Sequence, residues 1–313
     1  MGKGTQGMRT ARRDYSEEAG DFRRLCRFMV EQRDYVRARS TWCLGRIVDW
    51  KYGLYPSKTA VGGFCEKNAS LWFDGFDELA GVAISEDGDE GFAIITAPGY
   101  RFLYEEMLQW VLGHWGGRGP HPSTEIAVLQ TVEAAVLERH GFKRESTFYT
   151  QHFDLTAEPA PRFPLPPGFT IVDMATHPDY LAQRLLRDDA FQDRREVSTE
   201  ELRREIELHD HTHDGPIYHA PTDLCVMAPS GRLVAGCEAL IDARNAEADI
   251  ERVCTASDYR RRGLARAVIE ECLARLRNMG LERAHITGYS PGAIALYRSL
   301  GAAAESQAFG YSR

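Results

Sequence analysis

Three absences narrow what this chain of 313 residues can be. No apolar run approaches the roughly 20 residues that a membrane-spanning helix needs, and the first residues lack the apolar core of a secretory signal. The seven cysteines are odd in number and never spaced as Cys-x-x-Cys, which argues against a disulfide framework. A net charge of −8 leaves no basic surplus for a nucleic-acid backbone. Together they predict a cytoplasmic protein with reduced thiols that binds neither nucleic acid nor membrane.

Composition and length indicate a folded protein with two domains. The hydrophobic share of 43% and the charged share of 27% are typical of globular proteins, and the length suits two ordinary domains. Prolines crowd the segment 159–167, which predicts a stiff, extended connector. We therefore predict a disordered N-terminus over 1–15, a first domain over 16–156, a linker over 157–168 and a second domain over 169–313.

The most informative stretch is a predicted strand over 249–255 that runs into a basic turn. A helix follows from 264, with apolar residues at helical spacing, and Gly280 ends it. The first turn of a helix presents backbone N–H groups and a positive dipole end, and arginines add charge-assisted hydrogen bonds. A glycine also lets a ligand approach the backbone, so the order predicts a phosphate site. An exposed basic turn that caps an ordinary helix is the alternative. The residues are Arg260, Arg261, Arg262, Gly263, Leu264, Ala265 and Arg266.

A second motif follows roughly thirty residues later, with a predicted strand over 283–288 between the two. In this order the motifs make the sequence resemble the GNAT acetyltransferase superfamily. The resemblance implies an α/β fold of the α+β type, with a mixed, mostly antiparallel central sheet flanked by helices. It also implies acetyl-CoA as co-substrate. Ser290 stands where the family usually has Asn, and Ala302 where it usually has Phe. The two motifs are Arg260-x-x-Gly263-x-Ala265 and Ile294-Ala295-Leu296-Tyr297-x-x-Leu300-Gly301.

The predicted strands and helices of the first domain repeat the order of the second. Nearly equal intervals separate Tyr100 from Gly141 and Tyr259 from Gly301. We interpret the chain as two tandem copies of the GNAT fold. In the first copy a tyrosine and two glutamates, at 104–106, replace the glycine of the basic turn. They would block and repel a pyrophosphate, so the N-terminal copy is predicted to be degenerate.

The strand before the basic turn carries the candidate general base. By the resemblance, its end at 253–255 contacts the pantetheine arm of acetyl-CoA through the backbone. Glu251 is the candidate, with Asp249 second, because an alkylammonium of pKa near ~10.4 must lose a proton before it attacks a thioester. A solvated carboxylate, or an ion pair of Glu251 with Arg252, is the alternative. Strand alternation predicts one face with Asp249, Glu251, Val253 and Thr255, and the other with Ile250, Arg252 and Cys254.

Two further residues receive roles from the resemblance. Tyr297 lies where the superfamily often places the tyrosine that protonates the departing thiolate, and a phenol of pKa near ~10 suits that task. The alternative is a core tyrosine on a helix face. Ser290 is predicted either to hydrogen-bond the cofactor in place of Asn or to cap the helix that begins at Pro291.

A group of histidines interrupts the second domain. His209, His211 and His213 are spaced so that on a strand they would share one face and could bind Zn²⁺ or Ni²⁺. The following Asp-Gly-Pro instead indicates a loop, so we predict a polar loop near the cleft and no metal.

The sequence thus predicts an N-acetyltransferase that transfers acetyl directly from acetyl-CoA to an amine in the C-terminal domain. The acceptor is predicted to be a small-molecule or peptide amine, and the protein a monomer or homodimer. One alternative is a non-catalytic acyl-CoA-binding or regulatory protein of the same fold. The others are an acetyltransferase similar to mycothiol synthase and a purely structural interaction module.

Overall fold

The computed structural model describes residues 9–53, 62–158, 162–193, 198 and 215–313. The chain forms two compact units: one runs to Thr147 and includes Gln307–Arg313, and the other is Phe148–Ser306. The first unit thus gives up residues 148–156 of the predicted 16–156 and gains Gln307–Arg313, and the second begins earlier and ends earlier in the chain than the predicted 169–313.

Both units contain strands and helices. The strands are β1 (Ala11–Asp14), β2 (Ala69–Phe73), β3 (Leu79–Ile84), β4 (Gly91–Thr96), β5 (Ser123–Ala127), β6 (Lys143–Asp154), β7 (Thr170–Asp173), β8 (Asp223–Met227), β9 (Leu233–Asp242), β10 (Glu247–Thr255), β11 (Arg283–Gly288) and β12 (Ala304–Ser312). The helices are α1 (Asp21–Glu31), α2 (Arg33–Arg39), α3 (Leu44–Tyr52), α4 (Phe64–Asn68), α5 (Tyr104–His114), α6 (Thr131–Arg139), α7 (Tyr180–Gln192), α8 (Leu264–Asn278) and α9 (Pro291–Arg298). No described helix is both long and apolar enough to cross a membrane.

The first unit is a mixed sheet with strand order β1-β2-β3-β4-β5-β12. Its neighbours are antiparallel except β4 and β5, which are parallel. The core between the sheet and the helices is rich in aromatic residues, among them Trp72 and Phe142, and it also buries Met107. Part of the N-terminus that the sequence predicted to be disordered is ordered, because β1 adds to the edge of β2 through backbone hydrogen bonds.

The second unit has the same plan, with strand order β7-β8-β9-β10-β11-β6 and a parallel pair at β10 and β11. Helices α7 and α8 cover opposite faces. The Cys237 thiol lies 3.7 Å from the Val268 carbonyl of α8, whereas a Cβ on the next-door Gly236 would lie 3.7 Å from Leu186 of α7. Successive strand residues point to opposite faces, so the core is a three-layer sandwich, as the fold prediction stated.

The last strand of each unit comes from an unexpected part of the chain. In the first unit β5 pairs with Ala308–Ser312 of β12, at the very end of the sequence. In the second unit β11 pairs with Tyr149–Asp154 of β6, which follows the first repeat in the sequence. Neither β6 nor β12 was predicted from the sequence, and strand periodicity does not determine which sheet edge a strand joins, so this exchange was not predicted.

Candidate active site

In the second unit the pairing of β10 with β11 stops before either strand ends, which leaves a gap in the sheet. The two parallel strands are paired over Glu247–Asp249 and Arg283–His285. Beyond those positions β10 continues to Thr255 and β11 to Gly288, and their backbone groups face the gap. Helices α8 and α9 begin just beyond the two strand ends. Ligands of open α/β sheets bind outside the carboxyl ends of strands at such a point.

A β-bulge in β10 shapes one wall of this gap. Glu251 pairs with Glu238 and Cys254 with Gly236, so three steps on β10 match two on β9. Arg252 carries the strain of the extra residue, with φ +51°. Because Glu238 and Gly236 share a face, Glu251 and Cys254 also share one. The prediction that they lie on opposite faces was therefore wrong, since regular alternation stops at a bulge.

The bulge directs Arg252 into a buried ionic cluster. Its guanidinium donates to Glu238 Oε2 at 2.6 Å, and Arg187 of α7 donates to the same oxygen at 3.1 Å. Arg187 also lies 3.4 Å from Asp223, whose second oxygen accepts from Tyr218 at 3.1 Å. Buried charges of this kind persist only when they are paired, so the cluster fixes the path of β10 beside Glu251.

Burial perturbs the ionisation of this cluster. Desolvation and the Asp223 charge raise the pKa of Glu238 to about 8, against the opposing effect of Arg187. Desolvation lowers the pKa of Arg252 to about 10. The Cys254 thiol is also buried, and its pKa is raised to about 12. Cys254 is therefore a protonated, packed side chain at neutral pH rather than a nucleophile.

Tyr297 lies on α9, the helix that follows β11. Its side chain is 6% exposed and belongs to the core of the unit. Burial raises the pKa of its phenol, and the charge of Glu251 raises it further, which places the two side chains within electrostatic range. The phenol therefore keeps its proton over the whole neutral range and can serve as a proton donor.

The basic turn lies at the N-terminus of α8. Gly263 is the N-cap residue with φ +79°, and Arg261 is also left-handed at +64°. Arg260 donates to the Ala190 carbonyl at 3.1 Å, and Arg262 to the Asp258 carbonyl at 3.1 Å. These two arginines thus brace the turn as well as charging it. Gly263 offers no side-chain cap, so the first-turn N–H groups of α8 are suited to an external anion.

An aromatic ring from the linker packs on this turn. A Cβ at Gly263 would lie 2.8 Å from Cζ of Phe163, and closer still to Cε1. The Arg266 guanidinium lies 5.6 Å from the centroid of the same ring, and Glu270 accepts the Phe163 backbone N–H. The glycine is therefore required for two reasons that the sequence did not separate: its left-handed backbone and its contact with Phe163.

The other residues predicted to contact the cofactor have defined positions in the structure. Ser290 caps α9, accepting the Ala293 N–H at 3.2 Å. Val253 and Thr255 lie on β10 beyond the bulge, half-buried at the gap. Leu264 is buried in the core, whereas Ala265 is half-buried on the first turn of α8.

The equivalent place in the first unit is filled. Tyr104 begins α5 directly after the N-cap residue Leu103, and both are 2% exposed, so buried side chains rather than a glycine lie at the start of this helix. Glu106 accepts from the Trp72 indole at 3.0 Å, and Arg101 is held by Glu133 at 2.7 Å. A pyrophosphate would find neither a glycine turn nor an available arginine at these side chains.

The histidine group at 209–213 lies outside the described residues. Elsewhere in the described part of the chain, no set of three or more His, Cys, Asp and Glu side chains is arranged to hold a metal ion. The sequence did not single out Glu238, Arg187, His152, His285 or Phe163. They acquire their positions only from strand register, the bulge and the path of the linker.

Comparison with known proteins agrees with this architecture. Residues 182–302 match the model of the acetyltransferase (GNAT) family. No curated protein sequence matches the chain.

Several solved structures share the fold over nearly the whole chain. A GCN5-related N-acetyltransferase from Sphaerobacter thermophilus has a TM-score of 0.67 at 18% identity, over 97% of this chain and 95% of its own. A tandem GNAT protein from the clavulanic acid biosynthesis pathway has a TM-score of 0.64 at 11% identity, over 97% and 98%. A GNAT-family acetyltransferase from Colwellia psychrerythraea has a TM-score of 0.56 at 12% identity, over 97% and 100%. At these identities the likeness shows the fold, including its tandem arrangement.

Proposed function

We propose that this chain, in which residues 182–302 form a domain of the acetyltransferase (GNAT) family, transfers acetyl from acetyl-CoA to an amine. The family match supports acyl transfer in general. The choice of acetyl-CoA, of an amine acceptor and of the C-terminal unit as the active one is our inference from the site.

The observation that carries the proposal is the end of β10–β11 pairing short of both strand ends, with the basic turn following β10 and the Tyr297 phenol within electrostatic range of Glu251. The N-terminus of α8 and Arg260–Arg262 fit a pyrophosphate. The strand edge of β10 beyond the bulge presents backbone groups to a pantetheine amide chain, in the manner of an added strand. The filled counterpart at Tyr104 supports assigning this role to the second unit only.

Proton transfers assign the roles of two side chains. A carboxylate at the gap, Glu251 with Asp249 as second candidate, takes the proton from the alkylammonium, which frees the nitrogen lone pair for attack on the thioester carbonyl. The Tyr297 phenol gives its proton to the departing thiolate and is reprotonated by the second proton that the nitrogen loses as the amide forms. The backbone of Val253–Thr255 aligns the pantetheine arm of acetyl-CoA.

A non-catalytic acyl-CoA-binding protein is the second candidate. Ser290 favours it, because here the residue at the family's usual Asn position is engaged as a helix cap. The two functions differ in one outcome: both bind acetyl-CoA, and only the enzyme releases free CoA in the presence of an amine.

Calorimetric titration with acetyl-CoA tests the binding site. Arg261→Ala removes one charge-assisted contact at the turn and should weaken binding about tenfold or more. Arg277→Ala is the matched control: it makes the same charge change in the last turn of the same helix, about 20 Å away. Equal weakening by both variants, or by neither, would place the anion elsewhere.

Release of free CoA with a panel of primary amines tests the reaction. Wild-type turnover that falls in Glu251→Gln and Tyr297→Phe supports the enzyme. Binding without turnover for every amine supports the non-catalytic candidate. A wild type that does not bind acetyl-CoA rejects both.

A further inference from the structure

A row of titratable side chains crosses three neighbouring strands of the second unit. Asp249 on β10 pairs with His285 on β11, and His285 pairs with His152 on β6. Partners in register share a face of the sheet, so the three side chains lie side by side. The two imidazoles are in contact, with Nδ1 of His285 2.8 Å from Nδ1 of His152.

The two ends of the row lie in different surroundings. Asp249 occupies the last paired position of β10, where the gap begins, and Glu251 follows two residues later on the same face. Asp249 is 7% exposed and His285 is 4% exposed. His152 and His285 both line an open cavity of about 390 Å³, and His152, the less buried of the two, has its Nε2 2.8 Å from Ser306 Oγ. The row of Asp249, His285 and His152 therefore runs from the point where β10 and β11 separate to a solvent-accessible cavity.

The contact between two Nδ1 atoms links the tautomers of the rings. One Nδ1 must donate and the other accept, because neutral imidazole carries one N–H and one lone pair. If His285 donates from Nδ1, its Nε2 is an acceptor and His152 carries its proton on Nε2. If the shared proton moves to His152 Nδ1, His285 gains a proton on Nε2 and His152 loses its proton from Nε2. This is the arrangement of a chain that passes one proton along without separating charge.

Other charged groups face the row. Glu247 of β10 lies 3.3 Å from His285 Nε2 and 3.6 Å from the guanidinium of Arg283 on β11. Asp154 of β6 is the register partner of Arg283 and also lines the cavity. Glu247 and Asp249 share a face of β10, and Glu247 is the carboxylate that lies against His285 Nε2.

We propose that this row is a proton exit path for the acyl-transfer reaction, running from Asp249 through His285 and His152 to the cavity. The inference rests on the proposed function. An N–H bond of the alkylammonium breaks and an O–H bond forms on the Glu251 or Asp249 carboxylate. The protonated carboxyl group passes that proton to His285 Nε2, directly or through a bridging water. His285 then passes its Nδ1 proton to His152, and His152 releases its Nε2 proton to water. One proton enters and one leaves, and nothing is oxidised or reduced.

A variant with chemical rescue tests the path. His152→Ala should lower kcat about 10- to 100-fold, most strongly below neutral pH, and should leave the affinity for acetyl-CoA unchanged. Added imidazole should restore much of the rate, because the cavity and the space vacated by the side chain admit a small ring. Thr150→Val is the control: it removes a 2.9 Å hydrogen bond to Thr287 in the next row of the same two strands. It should leave kcat unchanged and show no response to imidazole.

Nitrogen NMR of the histidine rings supplies a readout that needs no acceptor. In the wild type His152 and His285 should titrate as a coupled pair, and Asp249→Asn should shift both. Independent titration of the two rings would overturn the path. So would a normal rate in His152→Ala, or a loss that imidazole leaves unchanged and that keeps the wild-type pH profile. A wild type without acyl transfer to any amine rejects the proposed function itself, whereas an active wild type with an unaffected His152→Ala rejects only the path.

Discussion

A methyl group added at Gly263 should be costly for two separable reasons. At φ +79° an L-residue pays about 1–2 kcal/mol for its left-handed backbone. The new Cβ would also lie 2.8 Å from Cζ of Phe163, and displacing a packed ring typically adds about 1–3 kcal/mol. Since Phe163 is 41% exposed and can turn toward solvent, we expect the low end of that second range. Gly263→Ala should therefore destabilise the second unit by about 2–3 kcal/mol.

A double-mutant cycle separates the two contributions. In a Phe163→Ala background the steric part vanishes, so Gly263→Ala should then cost only about 1–2 kcal/mol. Gly280→Ala is a matched control on the same helix: its φ is +85°, and nothing lies within 4 Å of its Cβ position. Urea denaturation of these variants gives the free energies of unfolding. An equal cost of Gly263→Ala in both backgrounds would refute the contact. The cycle also shows whether lost acetyl-CoA binding in a Gly263 variant reflects the anion site or the displaced ring.

Three further outcomes follow from the site. Tyr297→Phe should lower kcat about 100-fold with little change in KM for acetyl-CoA. Because the pKa of the Tyr297 phenol is raised, loss of its proton should not lower the wild-type rate at any pH below about 10. Ser290→Ala should cost about 1 kcal/mol in urea denaturation, whereas Ser290→Asn should retain the cap; an equal loss in both would contradict the capping role. The raised pKa of Glu238, about 8, means that the folded protein binds this proton more tightly than the unfolded chain does. Its stabilisation is therefore complete below about pH 4 and is lost as pH rises to about 8, so the urea midpoint of Glu238→Gln should vary less over that window than that of the wild type.

The local pattern of the sequence determined the elements and the plan of the fold. Strand β11 was predicted over 283–288 and has those bounds in the structure. The periodicity of α8 and its closing glycine likewise define a helix without reference to any other part of the chain. The two short motifs around Gly263 and Tyr297 indicated the fold of the second unit, and the repeated order of elements indicated its tandem repetition.

Only the tertiary structure decided which distant residues meet. Strand exchange gives β6 to the second unit, and without it His152 would not face His285. The bulge at Arg252 turns Cys254 to the face of Glu251, which no alternation rule anticipates. The path of the linker brings Phe163 against Gly263, so a residue predicted to lie in a spacer packs on the basic turn. In each case the deciding contact joins residues far apart in sequence, and its free energy depends on packing and register that local propensity does not encode.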